Sequence, residues 1–148
     1  MTRKFHLEEI SCDEDLAAAR ELRHRVFVLE QGLPADLEQD GRDGEADHIL
    51  ARIGERPVGT GRIIMRSDGI GVIARIAIDE DARGTGLGAA VIESLERIAE
   101  RRGAQAVELK AHIHLERFYE GMGYRVLPGT HDVAGYHLIT MGKSLGPR

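Results

Sequence analysis

Seven residues, Arg83-Gly84-Thr85-Gly86-Leu87-Gly88-Ala89, have the types and spacing of an anion-binding turn. They follow the apolar run Val72 to Ile78 and open a helix-like stretch reaching about Arg102. In such a strand, glycine turn and helix start, backbone N–H groups point inward with no Cβ in the way. The helix N-terminus adds its partial positive charge. The group suited to this turn is a phosphate or diphosphate. Two further clusters carry titratable side chains. His112-x-His114 sets two imidazoles on one strand face if the strand reaches that far. A metal would need more ligands than the sequence offers nearby, so the pair reads as neutral, hydrogen-bonded histidines and no metal is expected. Gln31 to Asp47 holds six acids against one base. Asp36-x-Glu38-x-Asp40-Gly41, with Asp47 in twelfth place, departs from a calcium loop at its third, eighth and last positions. It reads as a solvated acidic loop whose field would draw in a cationic amine. On that expectation, Asn at Asp40 and Asp43 would raise KM for a polyamine or lysine-like acceptor.

The elements that must position these groups follow from periodicity. Phe5 to Ile10 alternates weakly as a first strand. Ser11-Cys12-Asp13-Glu14 has the form of a capping box with Ser11 as N-cap, and Cys12 is expected to be buried or in the capping turn. Leu16, Ala19, Leu22 and Val26 predict a helix from Asp13 to about Glu30, ended by Gly32 and Pro34. His48–Ile53, Val58–Arg66 and Ile70–Asp79 read as strands. The turns between them are too short for crossovers, so they form an antiparallel meander. Leu87, Val91, Leu95 and Ile98 mark the buried stripe of the helix after the glycine turn, and Gly103 sits at its C′ position. Ala106–Ala111 is the strand that completes a parallel crossover. Leu115–Gly121 is a short helix, and Tyr124–Leu127 and Tyr136–Met141 close the sheet. The expected class is mixed α/β: six to seven predominantly antiparallel strands with about four helices, as one domain over residues 1–148.

Composition narrows the function. At 148 residues the chain can bury a real core, and 42% hydrophobic with 30% charged residues is ordinary for a globular protein. A net charge of -5 argues against a nucleic-acid binder. No apolar run approaches a membrane span, and the first residues lack the apolar core of a signal peptide. The single cysteine excludes an internal disulfide. A cytoplasmic protein that handles a small molecule is expected, with neither nucleic acid nor membrane as partner.

Two phosphate ligands compete for the turn. Gly84-x-Gly86-x-x-Ala89 formally satisfies the dinucleotide fingerprint. That reading requires successive parallel βαβ units and an acid at a strand end about 20 residues on. Only one crossover is visible, and Glu108 falls in mid-strand.

Arg83-x-x-Gly86-x-Gly88 instead resembles the (Gln/Arg)-x-x-Gly-x-(Gly/Ala) signature of the GNAT superfamily of acetyl-CoA-dependent N-acetyltransferases. Arg75-Ile76-Ala77-Ile78-Asp79 resembles the strand leading into it, and Phe118-Tyr119-Glu120-Gly121-Met122-Gly123-Tyr124 resembles the second hallmark of that family. Leu22-Arg23-x-x-Val26-Phe27-Val28-x-Glu30-Gln31, followed by Pro34, Glu38, Asp40, Asp43 and Ala46-Asp47-His48, is similar to its ElaA-like branch.

The resemblance implies a sheet that splays between the Ile70–Asp79 and Ala106–His112 strands to admit acetyl-CoA. The backbone of Ile76, Ala77 and Ile78 would meet the pantetheine arm, and a bulge around Arg75 would help to open the gap. The N–H groups of Gly84, Thr85, Gly86, Leu87, Gly88 and Ala89 would meet the diphosphate. Arg83 would close that loop or neutralise charge; the alternative is a surface salt bridge to Asp79 or Asp81. The resemblance puts Tyr119 at the general-acid position, with plain aromatic packing as the alternative. Many family members carry a glutamate base on the strand before the turn, but no acid lies between Ile70 and Ile78. Glu30, His48, His112 and His114 remain as base or orienting candidates, acting directly or through water. The implied function is direct acetyl transfer from acetyl-CoA to a primary amine of a small molecule or peptide. A non-catalytic acyl-CoA-binding sensor is the alternative. A homodimer through an exposed strand edge is compatible with the fold.

Overall fold

The structure, a computed structural model, describes residues 4–133 and 135–146. Residues 1–3, on which part of the signal-peptide reading rests, lie outside that range. Seven strands form one sheet: β1 (His6–Glu9), β2 (Asp47–Ile53), β3 (Arg56–Met65), β4 (Ile70–Ile78), β5 (Ala106–His112), β6 (Arg125–Val133) and β7 (Tyr136–Ser144). The helices are α1 (Asp13–Arg23), α2 (Ala35–Glu38), α3 (Leu87–Arg101) and α4 (Glu116–Gly121). The strand order is β1-β2-β3-β4-β5-β7-β6, with β4–β5 parallel and every other pair antiparallel. The mixed, mainly antiparallel sheet expected from the sequence is therefore the observed one.

Successive strand residues point to opposite faces. Ala77 packs with Leu22 and Val26 of the first helical segment, whereas Ile76 joins the core that holds Val91 and Leu95 of α3. The two helical layers thus cover opposite faces of the sheet. On the α3 face, Leu87, Val91, Leu95 and Ile98 are all essentially inaccessible, each worth roughly 1.5–3 kcal/mol of burial. Gly103, at φ 81°, ends α3 as expected.

Three local expectations are corrected. The N-cap of α1 is Cys12, not Ser11, and no side chain caps it. Cys12 is exposed, and α1 instead places Asp13, Glu14 and Asp15 against its positive end. The helix does not run unchanged to Glu30. From His24 to Glu30 it widens into a π-helix, closed by a bond from the Gln31 N–H to the Val26 carbonyl at 3.1 Å. The segment read as a loop contains the short α2.

Two irregularities in the middle strands shape the sheet. Strands β4 and β5 pair only at Ile70↔Ala106, Gly71↔Val107 and Val72↔Glu108. Beyond Val72, β4 stays with β3 as far as Ile78 while β5 stays with β7 as far as His112, so the two strands part. On the β3 side, Thr60 faces Ala77 and Arg62 faces Ala74, leaving Arg75 and Ile76 opposite Gly61 alone. This is the bulge expected around Arg75, and Arg75 takes a φ of 58° there. Gly61 is required by packing: a Cβ would come within 2.7 Å of Ile76 Cδ1 and 2.9 Å of Leu95 and Val91.

Candidate active site

The parted strands and the glycine turn form one continuous feature. The Asp79 N–H bonds to the Val58 carbonyl at 2.8 Å, so Ala77 and Asp79 direct their peptide groups to β3. By alternation, Ile76 and Ile78 direct theirs toward the opening. Arg83 confirms this sense, because its Nε donates to the Ile78 carbonyl at 3.1 Å. The same guanidinium pairs with Glu30 at 2.6 Å, not with Asp79 or Asp81, which bond to Arg56 at 2.6 and 2.9 Å. Arg83 thus ties the turn to the strand end and to the π-helix.

Gly84 and Gly86 have φ of 73° and 87°, conformations that favour glycine. Gly88 has no such need. A Cβ there would meet only Ile78 Cγ1, at 4.0 Å, so the protein's own packing leaves space for an approaching group. Neither a backbone nor a side-chain acceptor among the described residues serves the N–H groups from Gly84 to Ala89; the first satisfied one is Ala90, bonded to the Gly86 carbonyl at 3.1 Å. Six consecutive donors at a helix N-terminus fit a diphosphate, and the gap beside Ile76–Ile78 fits an extended arm bearing amides. The residues present therefore suit acetyl-CoA.

On the other face, the acidic segment is not a solvated lure. The buried Glu38 carboxylate accepts from Arg23, which is itself 1% exposed. Asp43 takes Arg23 at 2.9 Å, Arg62 at 2.9 Å and Arg20 at 3.0 Å. Asp40 takes Arg62 and, at 3.3 Å, Arg75. The Arg62 guanidinium holds Asp40 far below the ordinary carboxylate range. Burial pulls Asp43 upward, but Arg23, Arg20 and Arg62 outweigh it and hold it far down as well. Glu45 pairs with Arg42, and Asp47 with Arg102. Five of the six carboxylates are thus paired with arginines, which offsets much of the negative charge on which the expected attraction of an amine rested.

The acid–base candidates separate by place. Glu30 is ion-paired, and the Arg83 guanidinium lowers its proton affinity, which makes it a poor base. His48 is buried, with Nε2 3.0 Å from the Asp43 carbonyl, inside the arginine network. His112 ends β5 at the open end of the gap, half-buried, with its ring centroid 5.6 Å from that of His114. Burial and the neighbouring His114 charge push His112 below the usual imidazole range, so it stays neutral at pH 7. His114 lies in the exposed turn that follows. Tyr119 is buried in α4, edge-on to Phe118 and Tyr124 at 5.0 and 5.8 Å, and burial raises its phenol above the ordinary value.

Comparison with known proteins agrees with this geometry. The acetyltransferase (GNAT) domain family matches residues 8–145. The chain belongs to the GNAT acetyltransferase family. It is similar to the uncharacterized N-acetyltransferase YjcF of Bacillus subtilis, at 40% identity over 78% of this chain and 81% of that one. Similarity to ElaA of Escherichia coli reaches 30% identity over 95% of this chain and 94% of that protein; the ElaA crystal structure superposes with a TM-score of 0.85. An acyl-CoA N-acyltransferase from Pseudomonas aeruginosa superposes with a TM-score of 0.84 at 28% identity, over 97% of this chain and 100% of that one. The chain is an acyl-CoA-dependent acyltransferase of GNAT type.

Sequence reading missed three residues of this GNAT domain. Tyr136, at the start of β7, stands edge-on to His112 at 5.0 Å and donates its hydroxyl to the Gln31 carbonyl at 2.6 Å. It links the β5 side of the gap to the end of the π-helix. Glu96, buried on α3, accepts from the Tyr124 hydroxyl at 2.7 Å and pairs with Lys143 at 3.0 Å, which fixes the second hallmark against α3 and β7. Gly61 is the third, and its only sequence signal is a glycine inside an apolar strand.

Proposed function

We propose that this protein moves an acetyl group from acetyl-CoA directly to a primary amine held beside it. The observation that carries this reading is the parted β4–β5 pair running into six unpartnered N–H groups. Acetyl-CoA supplies an activated thioester. The Gly84–Ala89 amides hold its diphosphate, and the backbone of Ile76 and Ile78 pairs with its arm, whereas Ala77, expected to share that role, turns its peptide group to β3. The N–H of Ile78 or Ile76 is the donor suited to negative charge on the acyl oxygen. Tyr119 keeps its proton at neutral pH and gives it to the departing sulfur. His112, uncharged at neutral pH, takes a proton from the amine directly or through water. Because the loop acids are paired, a polycationic acceptor has no special advantage here.

The test is thiol release from acetyl-CoA across a panel of primary amines. Turnover is expected with at least one class. Tyr119→Phe should lower kcat about 100-fold while CoA affinity changes little. Tight CoA binding without turnover on any amine would instead identify an acyl-CoA sensor.

A further inference from the structure

Arg75 links two regions that the reaction must bring together. Its backbone forms the bulge at φ 58°, immediately before the Ile76 and Ile78 peptides that line the gap. Its side chain leaves the sheet and reaches α2. Nε donates to the Glu38 carbonyl at 3.2 Å, and Nη2 donates to the Leu37 carbonyl at 3.1 Å and to Asp40 at 3.3 Å. A non-glycine residue in the left-handed region persists only when its surroundings hold it there. Here the holding groups belong to the 31–46 segment, which is in turn locked by Arg23 and Arg62 to α1 and β3.

We infer that Arg75 is a positioning residue whose side chain couples the 31–46 segment to the bulge that aims the Ile76 and Ile78 peptides into the cofactor gap. This rests on the acetyl-transfer reading above. Order in the segment and order in the cofactor strand then rise and fall together. The backbone and side-chain parts of the role can be separated. Glycine adopts positive φ freely, so Arg75→Gly keeps the bulge and removes the tether, whereas Arg75→Ala removes the tether and disfavours the bulge.

The experiment compares the two variants of the full chain with the parent, using CoA as probe and amide hydrogen exchange as a readout that needs no ligand. Both variants should exchange residues 35–42 at least tenfold faster than the parent. Arg75→Gly should bind CoA within about twofold of the parent, and Arg75→Ala about tenfold more weakly, at similar melting temperatures. Unchanged exchange in both variants would overturn the tether. Equal CoA affinity of the two variants would overturn the link to the cofactor strand. Failure of the parent chain itself to bind CoA would overturn the acetyl-transfer reading and the link to the cofactor strand with it, while the exchange data still decide the tether.

Discussion

The two sides of the gap are built on different principles. The cofactor side of the proposed site, β4 through α3, is a continuous stretch of chain that offers main-chain amides to a ligand. The opposite side, which the proposed reading leaves for the acceptor, joins α1, the π-helix, the 31–46 segment, β5 and β7, and arginine–carboxylate pairs lock the 31–46 segment to α1, β3 and β4. Backbone donors need only the right φ/ψ and an absence of side chains, both set by neighbouring residues. Buried charge pairs need partners that arrive from distant chain segments. The contrast teaches that one wall can be read from a motif, while the other exists only when the whole domain is folded.

The largest expected effect tests the acceptor wall. Glu38→Leu leaves the buried Arg23 without its closest partner and should cost about 3–5 kcal/mol of stability in denaturant titration. Arg23→Met combined with Glu38→Leu should recover most of it. A small loss from Glu38→Leu alone would break the comparison, because buried charge would then not hold that wall. The cofactor wall should respond the other way. Gly88→Val should weaken CoA binding at least tenfold, about 1.4 kcal/mol, with little change in melting temperature, because the new Cβ meets no packed neighbour from elsewhere in the fold nearer than Ile78 Cγ1 at 4.0 Å. The smallest effect sharpens the acceptor side. His114 helps hold the His112 imidazole in its neutral form, so His114→Gln should raise the proton affinity of His112. The acid limb of the pH–kcat profile should then move to higher pH. Movement to lower pH, or none, would remove His112 as the base.

Legibility followed the range of each interaction. The α3 stripe and Gly103 obey spacings of three or four residues, and both stand where periodicity put them. The strand meander was legible because Gly54 and Gly69 mark short turns, both at positive φ. The capping box failed because the helix starts one residue later than a Ser11 cap requires, which puts Cys12 at the N-cap position with no side-chain cap. The π-helix left no signal, since Val26 is the only buried residue between His24 and Glu30 and no apolar repeat marks the wider turn. The acids at Glu38, Asp40 and Asp43 looked solvated because nothing local reveals Arg23, Arg62 or Arg75 as partners, which lie 15 to 35 residues away.

The order of residues alone determined the glycine turn, the strand that feeds it and the helix that follows. Each of these depends on backbone conformations that glycine, apolar alternation and helical spacing specify over short distances. Folding decided how far β4 and β5 stay paired, which carboxylates meet which guanidiniums, and that Tyr136 reaches across to Gln31. Those outcomes require segments remote in sequence to be brought together, and the free energy that chooses among many possible partners comes from packing the whole sheet between its two helical layers.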